Sequence, residues 1–319
     1  MKVKMITNQI FLDKLRTENM EERLRLANPE RYGTFQEIFG EDDFGFILAG
    51  DLLNETKNGE QVQVYGFGEN LSPYKISKGI ECDLLIASSL STRKNGFSSR
   101  EEVEEIMNYL EEHKTKGDIE NLVNSSRGTL FEDKRSIIEI NKQGIRTPQT
   151  FYFKKFDELK DFVSDSKEEY IIKHRFGQEG LQLARINYEN IGDFRDWKIS
   201  DFIVQEKLEI LNEKRLILFE DELLASRKIS DRHMPWEEEG KAGRRHITEK
   251  YTPTQKEIED SMKIMKYSDT TVGSMDWIST KEKGDLLMEL NGIGTGYGRG
   301  KHPYNVNRLV AQKLKDKFL

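Results

Sequence analysis

Short apolar runs alternate with amphipathic stretches over the first part of the chain. The runs typical of buried strands are Val3–Ile6, Phe44–Leu48, Val62–Tyr65 and Leu84–Ala87. The charged stretch Arg100–His113 carries apolar residues at helical spacing, Val103, Ile106, Met107 and Leu110, and so predicts an amphipathic helix. Strands that alternate with helices favour an open α/β domain, which we expect over residues 1–124. This segment has neither a phosphate loop nor a G-x-G-x-x-G fingerprint, and we expect it to shape the substrate side.

From Phe131 onward the pattern predicts a central subdomain over residues 125–205. Its predicted elements are a helix over Asp133–Gln143, a strand at Thr150–Phe153, a helix over Phe156–Ser164, and strands at Tyr170–His174 and Leu181–Ile186. Gly144 marks the C-terminal end of the first helix. The loop Gly177–Gly180 has the form of a flap whose backbone N–H groups cover phosphates, although a plain hairpin turn explains the same glycines.

The last third of the chain, residues 206–319, predicts a second α+β subdomain. Its predicted elements are paired strands at Arg215–Phe219 and Leu223–Ile229, a helix over Thr254–Tyr267, strands at Val272–Ile278 and Leu286–Leu290, and a helix over Val306–Phe318. The polar stretch His233–Lys250 predicts a loop, in which the acidic run Glu237–Glu239 is a solvated face. The turn Ser279–Asp285 joins the last two strands into a hairpin.

This hairpin carries the strongest candidate for a metal site. Glu289 and Asn291 lie two residues apart on one strand, so their side chains point to the same face about 7 Å apart. Asp276 reaches the same point from the neighbouring strand. Two carboxylates and an amide oxygen are hard ligands that suit Mg²⁺ shared with phosphate oxygens better than they suit zinc. A surface hairpin with ordinary charged residues is the alternative.

Composition narrows the classes of protein. The 319 residues have room for two or three domains, and 34% of them are charged. The formal net charge of -7 argues against a generic nucleic-acid coat. The single cysteine, Cys82, excludes an internal disulfide, and its apolar neighbours favour a buried structural thiol. The sequence contains no run of eighteen apolar residues, so we expect a cytoplasmic protein that binds neither membrane nor nucleic acid. The sequence is compatible with a homo-oligomer.

Five groups of residues stand in a particular order along the chain. They are Asp133-Lys134 followed by Gln143–Pro148, Ile171–Lys173 before the glycine loop, Val204–Glu206, Glu213 with Arg215, and Asp276 with Glu289 and Asn291. This order resembles the ATP-grasp superfamily, and within it the RimK-type glutamate ligases and the glutathione-synthetase-like enzymes. The resemblance covers about residues 125–300. It implies an ATP-grasp fold of the α/β class, in which an N-terminal α/β domain precedes two α+β subdomains that clasp ATP.

The resemblance also implies roles for individual residues. The implied ATP-binding residues are Lys134 and Lys173 at the phosphates, Gly177 and Gly180 in the flap, Gln205, Glu206, Lys207 and Leu208 at the adenine hinge, and Glu213 at the ribose. The implied ligands of two Mg²⁺ ions, or of Mn²⁺, are Asp276, Glu289 and Asn291. The implied cations around the transferred phosphoryl group and the substrate carboxylate are Arg215, Arg227 and one of Arg244 and Arg245, with His246 as a further candidate.

Two segments depart from the RimK-type pattern. Residues Gly243–His246 read G-R-R-H where many of those ligases have an Arg-Ser-Asn run. The glycine-rich segment Gly292–His302 also differs from what usually follows E-x-N. Both lie where substrate should bind, so the family's substrate is not carried over.

The resemblance implies an ATP-dependent carboxylate–amine ligase that works through an acyl phosphate and releases ADP and phosphate. Its acid and amine would come from amino acids, peptides or protein tails. The first step brings two anions together, and at about 4 Å and an effective dielectric of about 20 each pair of like charges repels by roughly 4 kcal/mol. Lysines, arginines and Mg²⁺ offset that repulsion. The alternatives are an ATP-grasp kinase that phosphorylates a small-molecule hydroxyl and a non-catalytic ATP-binding protein.

Overall fold

Three β-sheets form the framework of the computed structural model, which describes residues 2–7, 29–67, 73–87, 99–176, 183–230, 247–292 and 305–319. The first sheet has the order β4-β3-β2-β1-β5-β6. Its strands are β1 (Val3–Thr7), β2 (Phe44–Leu48), β3 (Gln63–Phe67), β4 (Pro73–Lys78), β5 (Cys82–Ile86) and β6 (Ile119–Val123). Strands β2, β1, β5 and β6 are parallel, whereas β3 and β4 add antiparallel at one edge.

Successive residues of the parallel strands face two different hydrophobic cores. Ile6 and Leu85 pack in the core beneath helices α2 (Ala49–Asn58) and α3 (Arg100–Lys116). Met5 and Ile86 face the other core, which includes residues of α1 (Pro29–Phe39) and of the last helix. A strand covered on both faces reads as a continuous apolar run, which is why β1, β2 and β5 could be predicted. Strand β6 was missed, because Glu120 and Asn121 interrupt its apolar residues.

Helix α3 shows how the local sequence fixes one element. It begins at a capping box in which Ser99 and Glu102 exchange hydrogen bonds, and it ends at Gly117 with φ +86°. The predicted stripe Val103, Ile106, Met107 and Leu110 is buried, so that prediction is confirmed. The thiol of Cys82 is also buried as predicted, and burial raises its pKa to about 12.

The second sheet has four antiparallel strands in the order β7-β10-β8-β9. Its elements are α4 (Ser126–Leu130) and α5 (Ser136–Lys142), which precede the sheet, then β7 (Thr150–Phe151), α6 (Phe156–Ser166), β8 (Tyr170–His174), β9 (Leu183–Ile186) and β10 (Phe202–Glu206). Helix α5 starts three residues later than predicted. Gly144 follows it at φ +79°, a conformation that favours glycine.

The third sheet has five antiparallel strands in the order β13-β12-β11-β14-β15. Its elements are β11 (Ile210–Phe219), β12 (Glu222–Ser230), β13 (Ile247–Lys250), α7 (Gln255–Ser268), β14 (Val272–Thr280), β15 (Gly284–Asn291) and α8 (Val306–Phe318). The predicted loop His233–Lys250 is wrong over its last four residues, because they pair with β12. The remainder of that loop from residue 233 to 246, and the flap Gly177–Gly180, lie outside the described residues.

Two features join the first sheet to the third. The core that contains Met5 continues through Phe219 and Val272 to Val310 of α8. The side chain of Asn124 accepts hydrogen bonds from the N–H groups of residues 271 and 272 at 3.0 Å each and donates to the Val272 carbonyl at 3.0 Å. Among the described residues, no helix is both long enough and apolar enough to cross a membrane.

Candidate functional site

Four charged side chains form one row across the third sheet. The register pairs Arg227 of β12 with Arg215 of β11, Arg215 with Asp276 of β14, and Asp276 with Glu289 of β15. Directly opposed residues of an antiparallel sheet share a face. The row therefore runs from two arginines to two carboxylates on one surface of the sheet. Arg227 and Asp276 are buried, with exposures of 5% and 4%.

The centre of this row is a two-pronged ion pair. Arg215 donates through Nε and Nη2 to the two carboxylate oxygens of Asp276. Burial lowers the pKa of the Arg215 guanidinium, but the charge and hydrogen bonds of Asp276 together with the charges of Glu213 and Glu289 outweigh burial, and the pKa is raised. Burial raises the pKa of the Asp276 carboxyl to about 6, although Arg215 opposes the shift. Glu213, two residues before Arg215 and on the same face, lies 4.0 Å from Nη2.

Two lysines from other parts of the chain meet the Glu289 end of the row. Lys134 Nζ lies 3.2 Å from Glu289 Oε2. Lys173 of β8 is buried, and burial lowers the pKa of its ammonium group to about 8, with Glu289 opposing the shift and Lys134 adding to it. Burial raises the pKa of Glu289, but the charges of Lys134, Lys173 and Arg215 and the hydrogen bond from Asn291 together outweigh it, so that this pKa lies below its ordinary value. The two lysines and Glu289 thus form one electrostatic unit.

The predicted metal ligands converge. Asn291 Nδ2 lies 3.2 Å from Asp276 Oδ2 and 3.0 Å from Glu289 Oε1. A half-turn of the amide about its Cβ–Cγ bond would put the amide oxygen where Nδ2 lies and give a set of three oxygens. These donors fit Mg²⁺, which binds through one or two carboxylates together with substrate phosphates. Within the described part of the chain, no group of three or more His, Cys, Asp or Glu side chains is placed to hold a metal ion, so the set at this hairpin consists of two carboxylates and one amide.

A buried anchor holds the turn that carries Lys134. Asp133 is 1% exposed and accepts hydrogen bonds from Arg175 through both carboxylate oxygens, with Nε at 3.0 Å from Oδ1. Arg100 donates to Oδ2 at 3.2 Å. The Lys134 backbone N–H donates to the Arg175 carbonyl at 3.0 Å, which ties this turn to the end of β8. Of the Asp133-Lys134 motif, the aspartate therefore anchors the turn and the lysine reaches the site.

The four predicted hinge residues follow or end β10. Gln205 is buried and donates to Thr150 Oγ1 at 2.9 Å. Glu206 accepts from the Gln149 N–H at 2.7 Å and from Lys283 Nζ. The exposed Lys207 contacts the Glu169 carboxylate, and the half-buried Leu208 lies in the segment that leads into β11. These residues connect the second sheet to the third.

Five of the predicted site residues lie outside the described part of the chain: Gly177, Gly180, Arg244, Arg245 and His246. One carboxylate that the sequence did not single out, Glu132, lies near Lys134 and Glu289 and contacts Gly292. No motif or spacing distinguishes it in the sequence from the many exposed glutamates. The contact of Gly292 with it depends on tertiary structure.

The sequence matches no protein-family model and no curated protein. Solved structures, in contrast, superimpose over nearly the whole chain. The ATP-grasp ligase PsnB in complex with a minimal precursor gives a TM-score of 0.60 at 13% identity and covers 99% of this chain and 98% of its own. The macrocyclase MdnC from Microcystis aeruginosa MRC, bound to the precursor peptide MdnA, gives 0.60 at 12% identity with 98% and 99% covered. The D-cycloserine synthetase DcsG gives 0.63 at 10% identity with 98% and 100% covered.

The chain has the ATP-grasp fold. The predicted fold class is therefore confirmed. At these identities the likeness establishes the fold, and the roles of individual residues in this chain remain predictions. The PsnB structure has also been solved with Mg and ADP.

Proposed function

We propose that this protein is an ATP-dependent carboxylate–amine ligase that forms an amide bond through an acyl phosphate and releases ADP and phosphate. The observation that carries the proposal is the contact of Lys134 with Glu289, at 3.2 Å, beside Lys173 and the carboxylate–amide group of the third sheet. Side chains that would bind phosphate and side chains that would bind Mg²⁺ thus meet at one point, although they come from three separate segments. The solved ATP-grasp ligases that share the fold support the same class of reaction.

The nucleotide would lie between the second and third sheets. Lys134 and Lys173 would bind its phosphates, and the flap containing Gly177 and Gly180 would cover them. The segment Gln205–Leu208 would border the adenine, and Glu213 would accept hydrogen bonds from the ribose hydroxyls. In this arrangement residues 1–124 form the N-terminal domain, 125–205 the central subdomain and 206–319 the C-terminal subdomain.

Asp276, Glu289 and Asn291 would hold Mg²⁺, and we propose two ions. Bound Mg²⁺ would neutralise phosphate charge and align the terminal phosphoryl group. The balance of charged side chains at the site supports a requirement for divalent cations when a triphosphate binds. Four cationic side chains (Lys134, Lys173, Arg215 and Arg227) face three carboxylates (Glu213, Asp276 and Glu289), which leaves little positive charge for a triphosphate.

The reaction proceeds in two displacements. A carboxylate oxygen of the acid attacks the γ-phosphorus, the bond from that phosphorus to the ADP oxygen breaks, and an acyl phosphate forms. The amine nitrogen then attacks the acyl carbon, the carbon–oxygen bond to phosphate breaks, and nitrogen loses a proton. Lys134, Lys173, Arg215 and Arg227 would stabilise the negative charge in the first step, which is where charge stabilisation and alignment contribute most to phosphoryl transfer.

The substrates would be amino acids, peptides or protein tails. Two of the solved neighbours, PsnB and MdnC, carry precursor peptides, and this supports a peptide as one of the two partners. The half of the site that would recognise it includes Arg244, Arg245 and His246.

The test is turnover with defined products. Purified protein is incubated with ATP, Mg²⁺ and pools of acids and amines, and nucleotides, phosphate and new amides are measured by chromatography and mass spectrometry. We expect ADP, phosphate and an amide, and with hydroxylamine in place of the amine we expect a hydroxamate of the acid. Lys173→Met is the matched inactive control.

Three other results would contradict the proposal. AMP with pyrophosphate would exclude an acyl phosphate. A stable phosphate ester would assign the protein to the kinases. Nucleotide binding without turnover over a broad panel of acids and amines would identify a non-catalytic ATP-binding protein.

A further inference from the structure

The carboxylate of Glu132 lies where a side chain at position 292 would begin. A Cβ built on Gly292 would lie 1.9 Å from Glu132 Oε1 and 3.1 Å from its Cδ. Real Cβ atoms essentially never approach another heavy atom closer than 3.0 Å, so with any other residue at 292 the Glu132 carboxylate would have to leave its place and its hydrogen bond to the backbone. The carboxylate of Glu132 therefore occupies the space that the side chain of any other residue at position 292 would need.

The backbone conformation does not explain this glycine. Among the described glycines, those with positive φ are Gly40, Gly59, Gly79, Gly117, Gly144 and Gly284, and Gly292 is not one of them. Glycine is needed where the chain takes a positive φ or where another group approaches the backbone closely. At position 292 the second reason applies.

The contact is also a hydrogen bond, and it lies next to the proposed metal ligands. The N–H of Gly292 donates to the Glu132 carboxylate, whose pKa burial raises to about 7. Gly292 directly follows Asn291, the last residue of β15, and Glu132 stands two residues before Lys134. The contact therefore joins the segment that carries Glu289 and Asn291 to the turn that carries Lys134.

We propose that Glu132 is a positioning residue that fixes the end of β15 against the turn of Lys134, so that Glu289 and Asn291 face Asp276. This inference rests on the proposed function, because it assigns Glu132 an effect on Mg²⁺ binding. Glu132 would act through the backbone of residue 292 and would touch neither nucleotide nor substrate. It also accounts for the glycine directly after E-x-N, where this chain departs from the RimK-type pattern.

The test compares four variants of the full chain with the wild type: Glu132→Ala, Glu132→Gln, Gly292→Ala, and Glu132→Ala combined with Gly292→Ala. The binding of a fluorescent ADP analogue is measured as Mg²⁺ is varied, and again without Mg²⁺, together with the unfolding temperature. Glu139→Ala is the control, since Glu139 is an exposed residue of α5. Loss of a group that orients metal ligands costs about 10–100-fold in metal affinity.

We expect Glu132→Ala to raise the Mg²⁺ concentration needed for nucleotide binding by about tenfold or more, while binding without Mg²⁺ stays unchanged. Glu132→Gln keeps an oxygen that can accept the hydrogen bond from the Gly292 N–H, so its Mg²⁺ requirement should rise less than that of Glu132→Ala. Gly292→Ala should show the largest rise in the Mg²⁺ concentration needed for binding and the largest fall in unfolding temperature. Adding Glu132→Ala should restore part of both, because the second substitution removes the carboxylate that clashes with the new methyl group.

Two results would overturn the inference alone. One is an unchanged Mg²⁺ dependence in Glu132→Ala, and the other is a double variant no better than Gly292→Ala. If the wild type binds no nucleotide with or without Mg²⁺, the proposed function fails and the positioning role fails with it. In that case rescue of the unfolding temperature in the double variant would still identify the contact as structural.

Discussion

Replacing Asp133 by alanine removes one half of the buried ion pair that fixes the turn of Lys134. Asp133 is 1% exposed and Arg175 is 6% exposed, so solvent does not screen the guanidinium that is left behind. Breaking a buried pair by removing one partner costs about 3–5 kcal/mol, a large part of the roughly 5–15 kcal/mol that stabilises a typical protein. We therefore expect Asp133→Ala to lower the free energy of unfolding by about 3–5 kcal/mol.

The measurement is urea unfolding followed by circular dichroism and by tryptophan fluorescence. Coincident transitions are needed before a free energy is derived. The matched control is Glu209→Ala, which breaks an exposed ion pair with Lys281 at 3.4 Å and should change stability by less than about 0.5 kcal/mol. Asp133→Leu with Arg175→Met removes both charges and should be more stable than Asp133→Ala. A loss below about 1 kcal/mol in Asp133→Ala would refute the reasoning, because a buried guanidinium that loses its carboxylate should destabilise the fold by more than that, even with its remaining hydrogen bond to the Ser200 carbonyl.

The same substitution tests how the anchor acts on the site. If Asp133 affects nucleotide binding by holding Lys134, then Lys134→Ala and the double variant Asp133→Ala with Lys134→Ala should bind nucleotide equally weakly. If the loss of nucleotide affinity in the double variant instead equals the sum of the losses in the two single variants, then Asp133 acts on binding in another way.

Three further predictions concern charge and hydrogen bonding. The pKa of Lys173, lowered by burial from 10.5 to about 8, means that the folded protein loses this proton as pH rises through about 8. Nucleotide affinity should therefore fall between about pH 7 and pH 9. The free energy of unfolding should rise between about pH 8 and pH 10.5, because over that range the unfolded chain still holds the proton that the folded protein has lost. Both trends should be absent in Lys173→Met. Asn124→Ala should cost about 1–3 kcal/mol, measured by urea unfolding, because the backbone at Val272 loses its hydrogen-bond partner; an unchanged midpoint would contradict this. Glu257→Gln, which weakens the buried pair with Lys214 at 2.8 Å, should lower the unfolding temperature and leave nucleotide affinity unchanged, and a changed affinity would contradict it.

Much of the fold could be predicted because its elements carry local signals. The stripe of α3 has helical period, and the strand at Tyr170–His174, which contains Ile171 and Ile172, has the predicted bounds. The edge strand β4 was missed because five of its six residues are exposed and it lacks an apolar pattern. The strand β13 was missed because it is held by pairing with β12 at the end of a polar stretch.

The sequence by itself determined the elements that have their own apolar pattern. It also determined which residue types are available for chemistry: two lysines, two carboxylates and an amide in an order that resembles the ATP-grasp superfamily. Only the tertiary structure decided which charges meet. Arg227, Arg215, Asp276 and Glu289 form a row because the register of four strands aligns them, and Lys134 meets Glu289 although 155 positions separate them. The contact of Glu132 with Gly292 is of the same kind. Periodicity is a property of neighbours along the chain, whereas register and the pairing of charges follow from how distant segments pack. In the sequence, a charged residue that will be paired in a site looks the same as one that will stay on the surface.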